Sequence, residues 1–173
     1  MDADSALTIS TVYACVACLS DAISTLPLTL YSTDAKGFKS EAKSHPLYRL
    51  IHDSPSPDMT SASWRAAMTM NRALLGNAYS WISRDEYGEP TAIYPLRTSN
   101  TRPVRIEGEL CYETVIGNVR QIIPASDILH IPSLMTWDGI LGIAPVEAMA
   151  RSMGIALAAD RMAARFYGSG ALM

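Results

Sequence analysis

The hydrophobic period of this chain changes twice, and each change sits on a residue that forces it. Up to Leu75 the apolar residues recur three and four apart; from Ala78 to Ile131 they alternate; from Pro145 the helical spacing returns. The first switch falls at Gly76-Asn77, two residues that tolerate left-handed backbone angles and so end a helix. The second comes after a loop carrying Trp137-Asp138-Gly139 and Gly142, at Pro145, a residue favoured at a first helical position. Helices, then a run of strands, then a helix is an α+β order, not the βαβ alternation that builds a parallel sheet. The expectation is one domain over 1–173: a mainly helical part at 1–76, an antiparallel β part at 77–132 and a long helix at 145–167.

Within that frame, 6–26 reads as one helix. Ile9, Val12, Tyr13, Val16, Leu19, Ile23 and Leu26 form its core face, small residues (Ser10, Ala14, Ala17, Cys18) with Asp21 lie opposite, and Pro27 stops it. A short strand at 28–31 leads into a polar hairpin loop or connector at 33–44. A short helix follows at 46–52 with Ser44 as N-cap, then an extended loop at 54–58. Thr60 caps a second long helix whose face holds Trp64, Ala67, Met68, Asn71 and Leu75. Strands are expected at 78–84, 91–96, 103–107, 110–116, 120–123 and 127–131. The turn signals Tyr87-Gly88, Glu107-Gly108 and Gly117-Asn118 join them into an antiparallel meander.

Composition narrows the chemistry. Of 173 residues 49% are hydrophobic and 18% charged, which excludes disorder and leaves apolar surface to spare. A net charge of -3 disfavours a tight grip on DNA phosphates. Three cysteines without a pairing pattern point to a reducing compartment, and Asp2 and Asp4 stand where a signal peptide would be basic. No apolar run is long enough to span a membrane.

The candidate sites each have a plain structural reading. Cys15 and Cys18 lack a second ligand pair and lie in a helical pattern, so they read as small buried packing residues, not zinc ligands. Asp127 and His130 are three apart in a strand-like run and face opposite sides of a sheet, which argues against an acid–base pair. His45 and His52 read as cap or surface residues. Asp85, Glu86 and Glu89 read as solvated acids around a hairpin turn. There is no nucleophile elbow, phosphate loop or HExxH, and Gly168-Ser169-Gly170 ends a helix instead of opening one. No catalytic, cofactor or metal residue is therefore expected. Arg97, Arg102 and Arg105, with Tyr94 nearby, form a local basic stretch and are candidate DNA contacts.

Four segments in order resemble the portal proteins of HK97-like tailed phages. The first runs from Ala6-Leu7 through Val12-Tyr13-Ala14-Cys15-Val16 to Leu26-Pro27-Leu28-Thr29-Leu30-Tyr31. The second is His45-Pro46-Leu47 with Pro57-Asp58 and Thr60, where the family usually has Pro-Asn. The third is Leu74-Leu75-Gly76-Asn77-Ala78-Tyr79, with Arg84, Gly88 and Tyr94-Pro95-Leu96. The fourth is Asp127-Ile128-Leu129-His130-Ile131, with Asp138-Gly139, Gly142 and Pro145-Val146. The resemblance implies a wing-like N-terminal part of a structural ring subunit, a dodecamer in the family, that is not an enzyme. Its implied partners are other portal subunits, the terminase large subunit, capsid protein and head–tail connector. DNA passes through the channel, and the location is the virion after assembly in the bacterial cytoplasm. The family's C-terminal half is absent, so a truncated piece or a decayed prophage remnant is expected. A small hydrolase is the alternative from another class; it requires convergent polar residues that the sequence does not display.

The last helix is the place to look for a partner. At 100° per residue Glu147, Arg151, Gly154, Ala158, Arg161 and Arg165 form one stripe. Ile155, Met162 and Phe166 lie on one flank; Val146, Met153 and Leu157 lie on the other. Apolar surface on two sides calls for two packing partners: its own sheet, and a neighbouring subunit or the absent C-terminal half; the alternative is that the first two helices of the same chain cover both flanks. Ile155, Met162 and Phe166 are the candidate interface residues. For DNA, titration of labelled duplex at near-physiological salt should give nothing tighter than about micromolar, the range of non-specific contacts. Nanomolar binding at that salt would overturn the charge argument.

Overall fold

A computed structural model describes residues 2–169. The helix expected over 6–26 is two helices, α1 (Ala3–Leu7) and α2 (Ser10–Ser24). Asp2 caps α1 by accepting the Ser5 N–H at 2.8 Å. Ile9 is extended (φ -81, ψ 114) and breaks the run. That break turns both Ala6 and Ile9 inward. α2 lies on α4 (Ser61–Leu75) and buries Val16 and Ser20. Tyr13, Leu19, Ile23 and Leu26, expected in the core, are exposed. One neighbouring helix covers one row of side chains, and at its far end that row is polar. There the Arg65 guanidinium donates to the Ser24 carbonyl at 2.7 Å and to the Ser61 hydroxyl. Cys15 and Cys18 fall on the uncovered side, so the expectation that they pack internally is corrected.

The first strands form a small hairpin, β1 (Tyr31–Thr33) with β2 (Lys39–Glu41), shifted toward the C-terminus from the expected 28–31. Its turn sets the register: Asp34 Oδ1 accepts the Lys36 and Phe38 N–H groups at 2.8 and 2.9 Å. α3 (Pro46–His52) is capped by His45, whose Nδ1 accepts the Leu47 N–H at 3.2 Å, and not by Ser44. The 54–59 loop is closed, not extended, because Ser54 Oγ donates to the Ser56 and Met59 carbonyls. Thr60 caps α4 as its sequence position predicts.

The β part holds β3 (Asn77–Arg84), β4 (Pro90–Leu96), β5 (Arg102–Ile106), β6 (Glu109–Ile116), β7 (Val119–Pro124) and β8 (Ile128–Pro132). They form two antiparallel sheets, ordered β4-β3-β8 and β5-β6-β7. The meander holds through β5, β6 and β7; β8 then returns to pair with β3, from Asn77↔Pro132 to Trp81↔Ile128. An Arg84–Asp127 ion pair at 2.8 Å fixes the entry to β8. Tyr79, Tyr112, Ile123 and Ile128 form one buried cluster between the two sheets. On the helical side, Trp64 and Met68 of α4 pack with Leu50, Ala78 and Ile93. There the Trp64 indole donates to the Ser80 hydroxyl at 3.0 Å. A third cluster, Ala6, Val16, Leu74 and Val146, joins α1, α2 and α4 to α5 (Pro145–Ala148).

The helix expected over 145–167 is interrupted at Met149 (φ -102, ψ 11), so α5 is followed by α6 (Ala150–Gly168). Of the predicted breaker Gly168-Ser169-Gly170, Gly168 ends α6 and Gly170 lies outside the described residues. α5 is placed by the joint between α4 and β3. Gly76 takes φ 71, and a Cβ there would fall on the Ile143 carbonyl; a Cβ on Gly142 would fall on the Gly76 carbonyl. Gly76→Ala combines left-handed strain with backbone overlap and should cost about 3 kcal/mol. Gly117→Ala, also at positive φ but in open space, should cost about 1 kcal/mol. Denaturant unfolding of both variants checks the difference, and equal losses would rule out the close approach at Gly76.

Candidate subunit interface

α6 leaves the body of the protein. Met153 packs on the cluster of Ala6, Val16, Leu74 and Val146, and Gly154, Ala156 and Leu157 are half-buried. From Ala158 to Gly168 the helix is exposed on every side. The expected packing of α6 on its own sheet is therefore corrected: its first two turns lean on α5 and the helical cluster, and the rest is a free arm. Ile155, Met162 and Phe166 are 65%, 75% and 47% exposed. All three lie on the side away from Met153, beside Arg151, Arg161 and Arg165. Among the described residues these three arginines have no carboxylate within ion-pair distance.

α5 also forms one wall of a groove of about 720 Å³ between α1, α4 and the end of β4. Its apolar lining includes Leu7, Met70, Leu75 and Leu96; its charged lining is Asp2, Asp4, Glu147 and Arg97. Hydrogen bonds from Ser5 hold the Asp2 carboxyl below the usual range. The arginine stretch is dispersed by the fold. Arg97 lines this groove, whereas Arg102 and Arg105 are three apart on β5 and point to opposite faces. Arg102 pairs with Glu113 at 2.6 Å, a carboxylate it shares with Arg120, and Arg105 donates to the Gly108 carbonyl at 3.0 Å.

A family model described as "Phage portal protein" matches residues 10–173. The chain belongs to the phage portal protein family. The portal protein of Enterobacteria phage HK97 is 30% identical over 166 residues, which is 95% of this chain and 39% of that protein. The neck of an empty gene transfer agent particle, computed with C6 symmetry, contains a chain that matches 90% of this portal chain and 42% of its own length, with a TM-score of 0.75 at 22% identity. A chain in the neck of the native particle, computed with C12 symmetry, matches 91% and 41%, with a TM-score of 0.71 at 19% identity. The portal chain thus spans about two fifths of the length of its relatives. The last two likenesses carry the fold alone.

The centre that sequence reading missed in this portal chain is Asn77. Its amide donates to the Gly142 and Leu75 carbonyls at 2.8 and 3.2 Å, and its oxygen accepts the Gly142 N–H at 2.8 Å. The same oxygen lies 3.0 Å from His130 Nε2, which fixes the ring as the Nε2–H tautomer; Nδ1 then accepts the Tyr112 hydroxyl at 3.1 Å. His130 also stacks on Tyr79, with centroids 4.4 Å apart, while Asp127 is held by Arg84. No local signal announces this network, because its members are 53 and 65 residues from Asn77. Burial pushes the His130 pKa below its ordinary value. The folded state therefore prefers the neutral ring, and stability is lost as pH falls through the unfolded-state value near 6.5. The melting temperature should drop between about pH 7.5 and pH 5. His130→Gln should lose part of that drop; an unchanged pH profile in the variant would remove His130 as its source.

Proposed function

We propose that this chain is the N-terminal part of a ring-forming portal subunit at the DNA-packaging vertex of a tailed phage, a structural component of the virion and not an enzyme. The observation that carries the reading is the bare side of α6, where Ile155, Met162 and Phe166 stand in solvent on an arm that its own fold does not cover. Exposed apolar strips of this kind mark association surfaces. Membership in a structural family supports a non-catalytic role. The particle necks in which the fold recurs carry rotational symmetry, which supports a ring. On this reading residues 1–173 form one N-terminal domain. Other portal subunits cover α6, and the terminase large subunit, capsid protein and head–tail connector are the further partners. DNA passes without being tightly held by this segment, and Arg97, Arg102 and Arg105 make at most weak contacts to it.

Replacing both Met162 and Phe166 by glutamine should weaken self-association in sedimentation velocity. Because neither side chain packs on the body, the cost to folding stability should be under about 0.5 kcal/mol, as for an ordinary surface substitution. Unfolding of the double variant would make this flank ordinary core and defeat the interface.

A further inference from the structure

We propose that the α6 arm of one copy seats in the groove between α1, α4 and α5 of the next, so that this chain carries both halves of a head-to-tail contact. The inference rests on the ring reading and names the surface that α6 meets. The two surfaces match in three respects.

The first is reach. From Ala158 to Gly168 the arm is free, roughly 16 Å of helix at 1.5 Å per residue. It cannot enter its own groove, because α5, the segment leading into it, is that groove's wall. The second is apolar fit. The outward side of the arm offers Met162 and Phe166, one turn apart, flanked by the small Ala158 and Ala159; the groove offers Leu7, Met70, Leu75 and Leu96. The third is charge. The stripe beside Met162 and Phe166 carries Arg161 and Arg165, and Asp160 lies on the far side of the helix. The groove carries Asp2, Asp4 and Glu147 against Arg97, three acids to one base. No ion pair among the described residues uses any of these side chains. Opposite unpaired charges on two different patches of one chain fit a heterologous contact, which closes into a ring when its rotation allows. An isologous pairing of two α6 arms would set arginine against arginine.

The test is a charge exchange read by sedimentation velocity, with circular dichroism and thermal melting to show that every variant keeps its fold. Arg161→Glu with Arg165→Glu should raise the self-association constant for dissociation roughly tenfold or more, since acid then faces acid. Asp4→Lys with Glu147→Lys should do the same. Mixing the two double variants should restore association between them, seen as mixed species by native mass spectrometry, while each remains weak alone. If the chain associates but the arginine reversals leave association unchanged, or the mixture is not rescued, α6 is covered by something other than this groove and the pairing is wrong. If the unaltered chain stays monomeric at every concentration, the ring reading itself fails and takes the pairing with it.

Discussion

The amide of Asn77 bonds to both backbone polar groups of Gly142, at 2.8 Å each way, across 65 residues of chain. That exchange imitates one rung of a sheet ladder and welds the 133–144 loop onto the point where α4 becomes β3. Gly76 and Gly142 allow it, since a Cβ on either would strike the other strand of the joint. Ser133 adds a backbone bond to the Gly76 carbonyl at 2.7 Å. The same Asn77 oxygen takes the His130 ring, so β8 is held by the residue that holds the loop. Buried polar groups fully satisfied in this way have few alternative arrangements. The position of α5, and through it the direction of α6, follows from this joint.

Burial is spread over three clusters and not gathered into one core. α4 is shared by two of them, facing the sheet with Trp64 and Met68 and the N-terminal helices with Leu74. This leaves α2 and the first two turns of α6 each covered on one side. Tyr13, Leu19 and Ile23, at the margins of the covered face of α2, and Ile155, Met162 and Phe166, on the outer side of α6, stand in water. A monomer gains nothing from such surfaces, whereas a subunit of an assembly hides them on association. The low charged fraction that stood out in the sequence has its physical place here.

Polar cross-ties complement the apolar clusters. Arg65 is nearly buried without a carboxylate partner among the described residues, and it caps α2 by donating to the Ser24 carbonyl, where the helix dipole favours a cation. Arg84 ties β3 to the turn before β8 through Asp127 and the Ser126 carbonyl. Glu113 gathers Arg102 and Arg120 across β5, β6 and β7. Of the arginines that look like a basic patch in the sequence, Arg102 is thereby a brace of the fold.

The sequence by itself determined the element types, because period and punctuation are local. Thr60, Gly76 and Pro145 mark element ends through their own backbone preferences, and the alternation from Ala78 to Ile131 can only be strand. It also carried the family, since the matching segments keep their order over most of the chain. Local pattern could not say which strand β8 pairs with, how much of the apolar face of α2 is covered, nor which apolar flank of α6 is covered. A helix with apolar residues around most of its girth has no preferred side until a neighbour takes one. The break at Ile9, the return of β8 to β3 and the outward course of α6 were decided by tertiary contacts. Asn77, His130 and Gly142 become neighbours only when the chain closes on itself, and the direction of the free arm follows from that closure.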